Sequence, residues 1–222
     1  MKAMILAAGR GERMRPLTDS LPKPLLAAGG KPLIVHHIEK LKRAGISELV
    51  INHAWLGHKL VAALGDGSAF GVSIRWSAEE SALETAGGIV QALPLLGSDP
   101  FLVINGDTWI DADYATLVSQ PLGSDLAHLW LVPNPPQHPD GDFSLQAGRV
   151  QDAPALTFSG VGLYHPAAFA ELPSGARKLA PLLRDWMAQG RVGGSLLAGE
   201  WRDIGTVERL RALDEQLLAG TH

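Results

Sequence analysis

Apolar residues fall along this chain in two patterns, short unbroken runs and runs at helical spacing, and in the first half the two alternate. Lys2-Ala3-Met4-Ile5-Leu6, Glu48-Leu49-Val50-Ile51-Asn52, Ser73-Ile74-Arg75-Trp76-Ser77 and Pro100-Phe101-Leu102-Val103-Ile104 read as strands. Between them, Leu33 to Lys42 carries apolar positions at helical spacing and stops at Gly45. Gly57 to Leu64 predicts a second, short helix, and Thr85 to Leu96 a third. Such alternation implies βαβ units, hence an α/β fold of Rossmann-like character: a mainly parallel, twisted sheet with helices on both faces. Ligands of such sheets sit beyond the carboxyl ends of the strands. After about residue 125 the pattern changes. Leu126 to Val132 is another strand and 134–142 a polar, proline-rich loop. Extended pieces follow at Phe143-Ser144-Leu145, Arg149-Val150 and Leu156 to Tyr164, then an amphipathic Leu179 to Gln189 and a final helix, Thr206 to Ala219, which Thr206 can cap. These predict a smaller mixed lobe within one domain covering 1–222.

Chemistry concentrates after the first strand. Ala7, Ala8, Gly9 and Gly11 are small, so backbone N–H groups can approach a bulky ligand and form a concave anion site. Arg13, Arg15 and Lys23 bring positive charge to the same place. The plain reading is a tight turn with solvated charges; the sharper one is a polyphosphate site. The stretch has neither the Gly-Lys-Ser/Thr ending of the ATPase phosphate loop nor the third glycine of the dinucleotide fingerprint. Asn105-Gly106-Asp107 ends the strongest strand, and Asp203 stands in Gly199-Glu200-Trp201-Arg202-Asp203-Ile204-Gly205-Thr206. Alone, each is an ordinary turn residue. Together, beside a triphosphate, two carboxylates can hold Mg²⁺, which takes few ligands from protein and several from phosphate and water. Ala86, Gly87 and Gly88 open the third helix, whose first N–H groups could meet a base or phosphate, or could simply start a helix.

Bulk properties narrow the classes. With 19 Lys+Arg against 23 Asp+Glu the net charge is −4, which argues against nucleic acid as a partner. The absence of cysteine excludes disulfides, thiol nucleophiles and cysteine zinc sites. No apolar run reaches membrane-spanning length and nothing has the form of a signal peptide, so the expected setting is the cytoplasm, with no membrane partner. His36 and His37 are adjacent and point apart on a helix, so they form no metal site. Trp55, Trp76, Trp109, Trp130 and Trp186 are expected in the core.

Gly9-x-Gly11-x-Arg13-x-x-Pro16, followed by Leu17-Thr18 and Pro22-Lys23-Pro24, resembles the signature of the sugar-1-phosphate nucleotidylyltransferases. Glu12 stands where the family usually has threonine, and Trp201-x-Asp203-Ile204-Gly205-Thr206 is similar to its C-terminal motif. The resemblance spans nearly the whole chain and implies small-molecule substrates, a nucleoside triphosphate and a sugar 1-phosphate. It assigns catalysis to Arg13, Lys23, Asp107 and Asp203, with Mg²⁺ on the two aspartates. The nucleotide would meet Ala7, Ala8, Gly9, Gly11, Glu12, Arg13, Lys23, Glu80, Gly87 and Asn105, in a nucleotide-binding half of about 1–125. Glu84, Asp140, Asp142 and Gly160 would meet the sugar, the last three in a sugar-binding half of about 126–222. Ala153 occupies the place of a family lysine that holds the sugar phosphate, which suggests a different sugar. Leu83-Glu84-Thr85-Ala86-Gly87-Gly88 is similar to the form in guanylyl- and uridylyl-transferring members. The compact length adds to a likeness with members that transfer UMP from UTP to N-acetylmuramic acid α-1-phosphate in cell-wall recycling. A mannose-1-phosphate guanylyltransferase and a non-catalytic nucleotide-sugar sensor are the rival readings.

Overall fold

The computed structural model describes residues 1–220. From the N-terminus, β1 (Ala3–Leu6) leads through a 3-10 turn at Glu12–Met14, α1 (Leu17–Ser20) and a second 3-10 turn at Lys23–Leu25 to a small hairpin, β2 (Ala27–Ala28) and β3 (Lys31–Pro32). The alternating half continues with α2 (Leu33–Arg43), β4 (Glu48–His53), α3 (Gly57–Leu64), β5 (Ser73–Ala78), α4 (Glu84–Leu96) and β6 (Phe101–Asn105). Then come β7 (Thr108–Asp111), α5 (Tyr114–Val118), β8 (Ala127–Val132), β9 (Phe143–Gln146) and β10 (Arg149–Tyr164). The chain closes with α6 (Leu179–Ala188), β11 (Val192–Leu196), β12 (Glu200–Asp203) and α7 (Val207–Ala219).

The main sheet runs β11-β8-β10-β6-β1-β4-β5, with β9 added along β10. β6, β1, β4 and β5 are parallel neighbours, whereas β10 enters antiparallel between β6 and β8. The mixed half therefore continues the parallel sheet through β10. Arg149-Val150 and Leu156 to Tyr164, expected as separate pieces, belong to this one long strand. Its polar middle pairs only at the edge with β9, where the register shifts between Gln151 and Leu156.

Period-two geometry explains why the strands are apolar throughout: alternate residues enter different cores. In β1, Ala3 and Ile5 face one core and Met4 the other. β6 divides into Leu102 and Ile104 against Phe101 and Val103, and β8 into Trp130 and Val132 against Ala127, Leu129 and Leu131. The first core is covered by α2, α3 and α5 through residues such as Ile38, Leu60 and Leu117. The second is covered by α4 and α6 through Ile89, Leu96, Leu183 and Trp186. A third, smaller cluster packs Leu210 and Leu213 of α7 onto Met14, Leu26 and Trp109. The last helix is thereby clamped onto the loop that follows the first strand. Trp109, Trp130 and Trp186 are buried as expected and Trp76 is half-buried, but Trp55 is 39% exposed and does not belong to the core.

Candidate active site

Gly9 to Met14, Lys23, Asp107 and Gly205 enclose a cavity of about 380 Å³ at the carboxyl end of β1. The loop holds its shape for local reasons. Gly11 has φ +63°, and a Cβ there would lie 2.9 Å from Thr18 Cγ2, so the turn requires glycine. The Thr18 hydroxyl donates to the Gly11 carbonyl at 2.8 Å. Gly106 makes a close backbone approach: its N–H donates to the Leu6 carbonyl at 2.9 Å, and a Cβ would sit 2.8 Å from the same oxygen. That contact places the residue after β6 beside the loop after β1. Lys23, buried, donates from Nζ to Asp107 Oδ2 at 2.7 Å, while the Asp107 side chain remains 41% exposed.

Asp203 arrives from the far end of the chain. β12 pairs antiparallel with β7 so that Asp203 stands opposite Thr108, and the Ile204 N–H donates to the Asp107 carbonyl at 3.2 Å. The two aspartates are thus neighbours across one backbone pairing. Arg209 donates to Asp203 Oδ2 at 2.6 Å, and Thr206 caps α7 by accepting from the Arg209 N–H at 3.3 Å. A Cβ on Gly205 would fall 2.7 Å from an Arg209 guanidinium nitrogen, 3.0 Å from Asp203 Oδ2 and 3.3 Å from an Arg13 guanidinium nitrogen, so this glycine leaves room for all three side chains. Among the described residues, no group of three or more His, Cys, Asp or Glu is placed to hold a metal ion. Two hard carboxylates beside a cationic cavity suit an ion that draws its remaining ligands from phosphate and water, as magnesium does.

Beyond Ala8 and Gly9 the cleft continues. A cavity of about 270 Å³ lies against Asn52, Glu79, Glu84 and Thr85. A smaller one of about 200 Å³ adjoins it at Arg10, Trp55 and Glu80. Asn52 organises this wall. Its Oδ1 accepts the Ala7 N–H at 2.9 Å and its Nδ2 donates to Glu79 Oε1 at 2.7 Å, while Glu79 Oε2 accepts the Leu83 N–H at 3.1 Å. Glu80, expected from the sequence, is exposed on the wall of the smaller cavity, and the buried Glu79 and Asn52 were not singled out there. The available signal for Asn52 was a polar residue ending an apolar strand in register with Leu6.

Further along, Glu84, Thr85, Asn105 and Asp142 line a cavity of about 290 Å³ against α6. Several expectations change here. Ala7 has no free N–H to offer a nucleotide, because Asn52 takes it. The Gly87 N–H is likewise taken, donating to the Arg177 carbonyl at 3.2 Å, and a Cβ on Gly87 would lie 2.3 Å from the Gly175 carbonyl oxygen. Gly87 is therefore a packing glycine where 175–177 crosses α4. Asn105 lines this cavity and not the one enclosed by Gly9 to Met14 and Asp107. Gly160 has φ +79° and packs on Asn105, where a Cβ would lie 2.4 Å from Nδ2; it shapes the site from behind. Asp142 is anchored by the Phe158 N–H at 2.8 Å, with His138 at 3.1 Å, whereas Asp140 is exposed and off the wall. Glu84 lies on the walls of both the 270 Å³ cavity and the 290 Å³ cavity against α6 and has φ +59°, a strained conformation for a residue with a side chain. Glu12, exposed, lines the phosphate-side cavity.

Behind the aspartates lies a buried polar contact. His37 accepts at Nδ1 from the Tyr114 hydroxyl (2.7 Å) and donates from Nε2 to the Thr108 carbonyl (2.8 Å), a pattern that requires the neutral ring. Burial pushes its pKa down to about 4 and raises that of the Tyr114 hydroxyl.

A family model described as Nucleotidyl transferase matches residues 2–135. An N-acetylmuramate alpha-1-phosphate uridylyltransferase of Neisseria meningitidis serogroup B is 57% identical over 99% of both chains. A protein of the same description from Caulobacter vibrioides is 35% identical over 97% of this chain and 96% of its own. Among solved structures, a Bacillus anthracis protein assigned as a glucose-1-phosphate thymidylyltransferase superposes with a TM-score of 0.87 at 25% identity, covering 98% of this chain and 95% of the other.

Proposed function

Because the chain belongs to the nucleotidyl transferase family, we propose that it transfers UMP from UTP to N-acetylmuramic acid α-1-phosphate, releasing pyrophosphate. The observation that carries this reading is the full-length likeness to the Neisseria uridylyltransferase. A phosphate oxygen of the sugar 1-phosphate attacks the α-phosphorus of UTP. The bond from the α-phosphorus to the bridging oxygen breaks, and pyrophosphate carries that oxygen away. Chemistry of this kind depends on positioning and charge neutralisation and needs no protein nucleophile.

The following roles fit the placement of these residues. Arg13, on the wall of the phosphate-side cavity, holds the β- and γ-phosphates and the departing pyrophosphate. Lys23 projects its ammonium from a buried stem and neutralises charge growing on the α-phosphate. Asp107 and Asp203 are the residues that would hold Mg²⁺, which would offset the phosphate charge. Lys23 and Arg209 hold these carboxylates in place before substrate arrives. The base occupies the pockets around Asn52, Glu79 and Trp55, and the sugar the cavity against α6. The setting is the cytoplasm; no helix of the described residues is long and apolar enough to cross a membrane.

Pyrophosphate release from UTP, GTP, dTTP and CTP, each with N-acetylmuramic acid, mannose and glucose 1-phosphates and with or without Mg²⁺, tests the reading. UTP with the N-acetylmuramic acid substrate and Mg²⁺ should lead. GTP with mannose 1-phosphate leading would move the assignment to guanylyl transfer. Tight nucleotide binding without any pyrophosphate would make the chain a sensor.

A further inference from the structure

N-Acetylmuramic acid differs from N-acetylglucosamine by a lactyl ether that ends in a carboxylate. The substrate proposed above therefore brings a second anion, away from its phosphate, and the site must neutralise it. Ala153 of β10 supplies no charge. Two cations do line the sugar-side cavity, both carried by the segment that enters and forms α6: Lys178 and Arg184.

Neither cation is committed to the fold. Lys178 is exposed, and among the described residues it has no ion-pair partner. Its backbone is nonetheless fixed, because the preceding residue is held at both ends. The Arg177 N–H donates to the Leu83 carbonyl at 2.9 Å, and the Arg177 carbonyl accepts from Ala86 at 3.0 Å and Gly87 at 3.2 Å. Arg184 is steadied on two sides. Its Nε donates to Asp152 at 2.9 Å, and its guanidinium carbon lies 5.7 Å from the centre of the Phe143 ring. The side chains of the Arg184–Asp152 pair are about half exposed (47% and 51%), so that pair is weak and easily shared. The two terminal nitrogens of Arg184 have no partner among the described residues and remain available for a carboxylate.

Two carboxylates, Asp142 and Glu84, share this cavity, and among the described residues neither is paired with Lys178 or Arg184. Asp142 is engaged by the Phe158 N–H and His138. Glu84 lies at the boundary with the nucleotide-side cavity, where it can accept from a sugar hydroxyl. The cavity's apolar side, Phe143, Phe158 and Leu183, matches the lactyl and acetyl methyl groups and lowers the local dielectric around the cations.

We propose that Lys178 and Arg184 receive the lactyl carboxylate and so select the sugar, with Asp152 orienting Arg184 from the residue before Ala153. This inference rests on the substrate assignment above, and its test separates the two.

The experiment compares kcat/KM for N-acetylmuramic acid α-1-phosphate and N-acetylglucosamine α-1-phosphate in the wild type, Lys178→Gln, Arg184→Gln and the double variant. A charged hydrogen bond lost should cost about tenfold. The double variant should lose on the order of a hundredfold with the muramic substrate, chiefly through KM. With the glucosamine substrate it should lose less than about threefold, and its KM for UTP should hold. Arg184→Lys should recover part of the loss, which separates lost charge from a disturbed fold. A parallel fall with both sugars would assign the cations to the shared phosphate and overturn the proposal. So would no fall with either sugar. A wild type that releases no pyrophosphate with the muramic substrate defeats the functional assignment itself.

Discussion

The phosphate end and the sugar end of the cleft differ in how their charges are held. At the phosphate end, Lys23 is buried and bound to Asp107, and Asp203 is bound to Arg209 beneath a helix that packs on the loop. At the sugar end, Lys178 is exposed and Arg184 about half exposed, with one ion pair, from Arg184 to Asp152. A buried cation is expensive to misplace, and Lys23 so placed holds Asp107 as Arg209 holds Asp203, so the first set is oriented before substrate binds. Exposure makes a charge cheap to move or replace, so the second set can differ between proteins that share the reaction.

The sharpest way to break this contrast is Lys23→Ala. It removes a preorganised cation and leaves Asp107 without its ion-pair partner, so kcat should fall at least about a hundredfold, near 3 kcal/mol of transition-state stabilisation. Steady-state pyrophosphate release measures it, and near-normal turnover would mean that the buried pair is structural. Next in size is Asn52→Ala. The change strands the Ala7 N–H and one oxygen of buried Glu79, which should cost about 1–3 kcal/mol for each orphaned group. Thermal melting should fall by several degrees and the KM for UTP should rise, while preference between sugars stays unchanged. A shifted sugar preference would show that the two ends are coupled.

His37 gives a pH test of the rigid end. Its folded pKa of about 4 lies below the ordinary 6.5 because burial disfavours the charged ring. The unfolded chain therefore takes up the proton first as pH falls. The stability that this ring contributes is complete above about pH 6.5 and is lost progressively down to about pH 4, by about 3 kcal/mol at most. Burial also lowers His36, His53 and His128, which add to the same slope. Denaturant midpoints between pH 7 and 4 should therefore drop less steeply in His37→Asn than in the wild type. An unchanged slope would remove His37 from the account. The smallest effect belongs to Asp152→Ala at the sugar end. Loss of one exposed pair is worth less than about 1 kcal/mol, so the KM for the sugar substrate should change only a few-fold. A hundredfold change there would mean that the sugar end is as preorganised as the phosphate end.

What could be read from the sequence was what local pattern determines. Strand and helix positions followed from unbroken apolar runs and helical spacing, because backbone periodicity decides which side chains can be buried together. The glycine turn, Lys23 and the Thr206 cap were visible because their roles depend on residue type and near neighbours. Tertiary structure alone decided the remainder. It set Asp203 beside Asp107 across the β12–β7 pairing, gave the N–H groups of Ala7 and Gly87 to Asn52 and Arg177, and kept Trp55 out of the core. It also bound Glu79 to Asn52 and turned Arg184 of α6 toward Asp152 of β10. Hydrogen-bond donors and charges are satisfied by whatever lies nearest in space, and between residues far apart along the chain that nearness exists only after the sheet has formed.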